Sequence, residues 1–357
     1  MTDQATGGQG AGERLAVFTG GILADSNAKT GHGVLRYGAR EVVCVVDAAF
    51  AGRRADEVVP FVRREVPVVA SVAEAAALGA TTLLIGVAPS GGKLEPAWQQ
   101  ALLEAVRLGL AIEAGLHSLL VDDPELAAAA AATGVEVRDL RRSPSDLNVP
   151  AGVAVRPEGT LVVHTVGTDC AIGKMSVVLE LESELRGRGE DAVFVATGQT
   201  GIAISGWGIA VDHVISDYIA GAAARLVREG AERGSLLLIE GQGSLYHPAY
   251  SGVTLGLLHG SAPDVLILAH RAGRTTVEDY DVVLPRLDEV VRLYEAACAA
   301  VRPARVCAVA VNTAGLGDDE AAAVIAATAE ESGLPAFDVV RDGAGGLADV
   351  VLAALGR

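Results

Sequence analysis

What the chain has little of narrows the field first. It holds four cysteines in 357 residues, Cys44, Cys170, Cys298 and Cys307, and no two stand at a metal-binding spacing. That pattern points to a reduced, cytoplasmic setting. No His/Cys cluster has zinc spacing and no G-x-S-x-G elbow occurs, which argues against zinc-site and serine-hydrolase chemistry. No run of eighteen apolar residues is present, so no spanning helix is expected. Basic residues are scarce: 28 Lys and Arg face 45 Asp and Glu, a net charge of −17. Such a balance repels nucleic acid and anionic membranes, and an anionic ligand must be held by local loops against that field. The opening dozen residues, MTDQATGGQGAG, lack an apolar signal core and read as a disordered tail over 1–12.

Half of the residues are hydrophobic, and they fall into a repeating pattern. From residue 13 to 142, short β-branched runs (RLAVFTG, EVVCVVDA, VPVVAS, TTLLIGVA, LAIEAGLH, VEVRDLR) alternate with helical stretches. PAWQQALLEAVRLG carries Pro96 near its start and Gly109 at its end, which is helix punctuation. The alanine tract 127–132 reads as a helix face. Strands alternating with helices imply parallel βαβ units. The segment 143–160, with three prolines among turn formers, reads as a linker. Alternation resumes over 161–357, where LVVHTVG, DAVFVATG, SLLLIEG, DVLILAH, RVCAVAVN and AFDVV are apolar enough for parallel strands covered on both faces. The fold class is therefore α/β, two domains with largely parallel sheets.

The chemistry concentrates after the strand Leu161–Gly167. The run Gly167, Thr168, Asp169, Cys170, Ala171, Ile172, Gly173, Lys174 puts five residues between its glycines, one more than the usual phosphate loop. The physical requirement is met: a strand ends, amides turn around an anion, and a helix begins with its positive end toward it. Lys174 supplies a cation. Met175 stands where a Mg²⁺-binding hydroxyl is usual and Ser176 comes one residue later, so phosphate binding is signalled more strongly than hydrolysis. Glu240, at the end of SLLLIEG, is placed to hold Mg²⁺ or accept loop amides, and Asp169 is a second metal or capping candidate. Cys170 invites a reading as acyl acceptor, but a small residue filling a tight turn is the better explanation.

Polar residues crowd other strand ends. Gln242, Ser244, Tyr246, His247, Tyr250 and Ser251 follow Glu240, and His247 is a candidate base for a substrate amine. His270, Arg271 and Arg274 end another strand, and two guanidinium groups three apart suit carboxylates or phosphates. TGQTGIAISGWG, with Thr197, Gln199, Thr200 and Trp207, reads as a glycine-rich loop or lid. Lys29, His32, Arg36 and Tyr37 share one loop-to-helix segment, and Gly91, Gly92 and Lys93 form another possible anion nest. Asp47 stands where a dinucleotide fold holds a ribose, but GGILADSNAKTGHG lacks the G-x-G-x-x-G spacing, which disfavours nicotinamide.

GTDCAIGK, IEGQGS and AVAVNTAG together resemble dethiobiotin synthetase and related P-loop proteins. That likeness implies that Asn312 contacts a base. A wider resemblance rests on KTGHGVLRYG (29–38), GVAPSGGKLEP (86–96), GLHSLLVDDPEL (115–126), GTDCAIGKMS (167–176), TGQTGIAISGWG (197–208) and GQGSLYHPAYSGVTLGLLHG (241–260). These blocks are similar to the DgcN-like family. The resemblance implies a Rossmann-like domain followed by a P-loop NTPase-like domain, and acetyl transfer from acetyl-CoA to the amine of D-glutamate. On that reading residues 167–176 and Asn312 bind the cofactor. His247, Glu240 and Lys174 are the catalytic candidates. Gln199, Gln242, Ser244, Tyr250, His270, Arg271, Arg274, Lys29 and Arg36 are the substrate-binding candidates. The alternative is an ATP/Mg-dependent ligase or kinase with metal at Glu240 and Asp169, and a nucleotide sensor is a third, non-catalytic reading. Expected partners are a small amino acid and further copies of the chain, with neither nucleic acid nor membrane.

Overall fold

The computed structural model describes residues 12–88, 96–152 and 155–357. Residues 1–11 of the expected tail, and the Gly91–Gly92–Lys93 nest, lie outside the described residues. Two compact units emerge: one runs to Ser143 and adds Gly198–His213, and the other comprises Pro144–Thr197 and Val214–Arg357.

In the first unit, β1 (Arg14–Phe18), α1 (Lys29–Tyr37), β2 (Glu41–Val46), α2 (Ala55–Val58), β3 (Val68–Val69), α3 (Val72–Ala77), β4 (Thr82–Ile85), α4 (Pro96–Arg107), β5 (Ala111–Ala114), α5 (Pro124–Thr133) and β6 (Val137–Asp139) follow in turn. Every strand pair is parallel and the order is β3-β2-β1-β4-β5-β6. Local chemistry sets the boundaries. Asp123 accepts from the amides of Glu125 and Leu126, Pro124 opens α5, and Gly134 closes it at φ 72. The alanine tract is thus helical, as its propensity requires.

The second unit contains β7 (Leu161–Gly167), α6 (Lys174–Gly187), β8 (Ala192–Val195), α8 (Ile219–Ala231), β9 (Leu236–Ile239), α9 (Ser251–Ser261), β10 (Val265–Arg271), α10 (Leu287–Ala299), β11 (Arg305–Asn312), α11 (Asp318–Ser332), β12 (Ala336–Phe337) and α12 (Gly345–Ala354). Its sheet is also parallel, in the order β12-β11-β10-β7-β9-β8. The chain adds strands on one side of β7 and then crosses to the other. The carboxyl ends of β7 and β10 therefore flank a topological switch point, where ligands of open α/β sheets bind.

One departure from the sequence reading is instructive. Between β8 and α8 lies α7 (Gln199–Ser205), a helix rather than an open loop or lid, and it belongs to the first unit. Its residues Gln199 to Ile204 are all buried. Thr200 Oγ1 meets Thr30 Oγ1 at 2.9 Å, and Arg40, paired with both oxygens of Glu113, also donates to Ala203 O at 2.8 Å. A Cβ on Gly115 would stand 2.6 Å from Gln199 Cγ, so this close approach needs glycine. Among the described residues no helix is long and apolar enough to cross a membrane, and none of the four cysteines is in a disulfide.

Candidate active site

The glycine loop is anchored from beneath before it offers anything to a ligand. Gly167 O accepts from the fully buried Tyr294 hydroxyl at 2.6 Å, and that hydroxyl accepts from Leu245 N at 3.1 Å. Thr168 O accepts from Ser244 Oγ at 3.0 Å, while Thr168 Oγ1 lies 3.1 Å from His270 Nδ1. Asn312 Nδ2 donates to Ile172 O at 3.1 Å, and its Oδ1 accepts from Ala314 N. Both ends of that amide hold protein backbone, so in this structure Asn312 buttresses the loop.

Asp169 is completely buried. One carboxylate oxygen accepts from Cys170 N at 2.7 Å; the other accepts from Glu278 N at 2.8 Å and stands 3.5 Å from Arg274. Arg274 reaches Glu278 as well, at 3.6 Å. Ala171 is left-handed at φ 51 and Gly173 at φ 106, a turn that rotates successive amides inward. Among the described residues, the N–H groups from Ala171 to Ser176 have no protein acceptor. Six donors at the start of a fourteen-residue helix therefore remain for an anion.

Lys174 completes the cradle. Its stem runs between two glycines: a Cβ on Gly167 would lie 3.1 Å from Lys174 Cδ, and one on Gly241 would lie 3.1 Å from the same atom and 1.8 Å from Thr165 O. Lys174 Nζ donates to Asp169 O at 2.6 Å. Burial pulls the ammonium below its ordinary range, while Cys170, Asp169, Glu240 and Glu278 act the other way. The lysine is thus buried inside the loop and does not face bulk water.

Glu240 follows β9 and ties two strand ends together. Its carboxylate accepts from Thr197 N at 3.0 Å, its carbonyl accepts from Thr197 Oγ1 at 2.7 Å, and Gln242 Nε2 donates to Thr197 Oγ1 at 3.1 Å. His247 is 3 % exposed; its Nδ1 accepts from Ala249 N at 3.2 Å, and its ring stacks on Tyr250 at 4.4 Å and meets Tyr280 edge-on at 5.2 Å. Burial lowers its basicity first, opposed by Asp169, Glu278 and Asp279 and assisted by Lys174. Among the described residues the one group of side chains close enough to hold a metal is Asp169, Cys170 and His247, with ligand atoms within 4.8 Å of one another; Glu240 is outside it.

The second unit therefore gathers residues 167–176, Asn312, Ser244, His247, Tyr250, His270 and Arg274 about one loop, while the Gln242 amide turns to Thr197. Arg271 lies exposed at the end of β10. Lys29, Arg36 and Gln199 belong to the first unit. There Lys29 is exposed, Arg36 lies over the Tyr37 ring, and His32 is buried against Leu23 O at 2.6 Å. The Asp47 carboxylate, expected where a dinucleotide fold holds a ribose, accepts from Thr19 Oγ1 and from the amides of Gly21, Leu23 and Ala49. Tyr294, Glu278 and Tyr280 were not signalled by any motif. Tyr294 is the one tyrosine on the buried face of an amphipathic helix, and only the tertiary fold brings it beneath Gly167.

A parallel sheet, a glycine turn at its switch point and a buried lysine define a P-loop α/β protein, joined here to a Rossmann-like unit. The comparisons agree. Residues 152–348 match the DUF1611 C-terminal P-loop domain, and residues 48–143 match the DUF1611 N-terminal Rossmann-like domain, both described as domains of unknown function. The chain belongs to this DUF1611 family. A relative from Tritonibacter scottomollicae named D-glutamate N-acetyltransferase is 43% identical over 78% of this chain and 84% of its own. One of the same name from a Pseudoalteromonas species is 38% identical, covering 76% and 82%. The crystal structure of a DUF1611 family protein from Anabaena variabilis superposes with a TM-score of 0.89 at 39% identity, covering 96% of this chain and 99% of that one. The chain is an enzyme of the N-acetyltransferase class.

Proposed function

We propose that this enzyme acetylates the amine of a small amino acid, D-glutamate foremost, using acetyl-CoA whose phosphate is held by the turn at Ala171–Ser176. The observation that carries the reading is the set of six unbonded amides backed by buried Lys174. Those donors suit a phosphate oxygen, and a pyrophosphate can rest there without being cut. The cofactor would supply an activated acetyl thioester. The chain's part is to seat the anion, to hold the loop rigid through Tyr294, Ser244 and Asn312, and to orient the two reactants. Two relatives named D-glutamate N-acetyltransferase support the choice of acceptor amine. Exposed Arg271 is free to meet a carboxylate of that substrate, whereas Arg274 is already shared between Asp169 and Glu278. A cytoplasmic setting accords with four cysteines outside any disulfide, and association of copies is to be read by sedimentation equilibrium.

The test is to incubate the protein with D-glutamate and either acetyl-CoA or ATP with Mg²⁺, following free thiol and ADP. Thiol release that requires the amino acid is expected. ADP formation without thiol release would replace the proposal with an ATP-dependent ligase.

A further inference from the structure

We propose that His247 serves as a neutral hydrogen-bond donor, presenting Nε2–H to the acyl carbonyl oxygen, and is not the base that its sequence position suggests. The argument starts from one bond. The backbone N–H of Ala249 points at His247 Nδ1, 3.2 Å away. A backbone amide can only donate, so Nδ1 must carry its lone pair there, and the proton of the neutral ring resides on Nε2. Both roles suggested by sequence then fail. A base acting through Nε2 needs an unprotonated Nε2, which would put the proton on Nδ1 and set it against the Ala249 N–H. Metal ligation meets the same obstacle, since neither nitrogen offers a free lone pair.

The ring is also fixed and desolvated. It is 3 % exposed, stacked on Tyr250 and edge-on to Tyr280. The charged groups facing it are Asp169, Glu278, Asp279 and Lys174. Among the described residues Nε2–H has no acceptor, although a ring nitrogen lies within 4.8 Å of both Asp169 and Cys170 at the loop. A donor that no protein group claims, on a buried ring held rigid beside a phosphate-binding turn and with the nitrogen itself still open, is what a developing oxyanion requires.

The identity of the acceptor rests on the acetyl-transfer reading; the tautomer does not. In the step itself, the substrate ammonium first loses one proton to water. The amine nitrogen then bonds to the carbonyl carbon, and the C=O electron pair moves onto oxygen, where Nε2–H receives it. The pair returns as the C–S bond breaks, and the second nitrogen proton passes to the departing sulfur. The balance is amide, thiol and one proton.

Two measurements decide the proposal. Long-range ¹⁵N–¹H spectra of histidine-labelled, unliganded protein at neutral pH should show His247, assigned by its loss in His247→Gln, as the Nε2–H tautomer. An Nδ1–H tautomer or an imidazolium would overturn it. In kinetics, His247→Ala should lower kcat by about 10²–10³-fold, the scale of one oxyanion donor. Its affinity for CoA, which lacks the carbonyl, should change little, and the acidic limb of the kcat/KM profile should keep its wild-type position. His247→Gln, which retains an N–H donor, should recover part of the loss. Disappearance of the acidic limb in His247→Ala would mark the residue as the base and refute the proposal. Absence of acetyl transfer by the wild type would refute the acceptor assigned here, while the spectrum still decides the tautomer alone.

Discussion

Removing a single oxygen beneath the glycine loop should cost more than any exposed ion pair. Tyr294→Phe keeps the ring and its packing but deletes the hydroxyl that donates to Gly167 O and accepts from Leu245 N. Both partners are backbone groups at a site from which water is absent, since Tyr294 is fully buried. A buried backbone group left unpaired costs about 1–3 kcal/mol. Two such groups, discounted because Gly167 also lies in the β7 ladder, give about 3 kcal/mol. For a domain of this size each kcal/mol shifts Tm by roughly 2–4 °C, so a fall of about 6–12 °C is expected. Differential scanning calorimetry of wild type and Tyr294→Phe at equal concentration reads it directly. The hydroxyl also pins the loop's first carbonyl, so KM for acetyl-CoA should rise more than kcat falls. A Tm within 1 °C of wild type would refute the claim that Tyr294 buttresses the loop.

Other consequences follow from the same geometry. Burial holds His164 at about 3, below the 6.5 of a free histidine, because its ring is enclosed beside Lys174. Its stabilising contribution is complete above pH 6.5 and is lost as pH falls toward 3, so between pH 6 and 5 wild type should lose about 1 kcal/mol more than His164→Gln in urea titrations. Gly115→Ala would press a methyl into Gln199 Cγ, 2.6 Å from the ideal Cβ; a loss of about 1–3 kcal/mol and faster proteolysis within Gly198–His213 are expected. Lys174→Ala should raise KM for acetyl-CoA by at least tenfold, about 1.4 kcal/mol of lost binding, with a smaller change in kcat. Collapse of kcat at unchanged KM would instead place Lys174 in the chemical step.

Much of this was legible in the chain. The twelve runs read as strands all became strands, most of them because parallel strands buried on both faces need continuous apolar sequence, whereas the edge strands β6 and β12 are only half-buried. The loop was legible because a strand, a glycine turn and Gly-Lys are local. What failed to show is not local. α7 is only seven residues long and buried nearly all round, so no helical stripe distinguishes it from a glycine-rich loop, and its partner α1 lies far back in the chain. Asn312 was read toward a base, yet the partner that claims it is Ile172 O. Asp169 was read as a metal or capping candidate, and it accepts from Cys170 N; its second partner, Glu278 N, depends on how the segment after β10 folds back. The proton on His247 is set by a turn two residues on, invisible to any spacing rule.

The central claim, that the turn at 171–176 seats a cofactor phosphate, is tested most directly by the amides themselves. In a ¹⁵N–¹H spectrum the resonances of Ala171, Ile172, Gly173, Lys174 and Met175 should shift on titration with CoA and stay in place with pantetheine, which carries no phosphate. Saturable CoA binding that leaves all five unmoved would contradict the account.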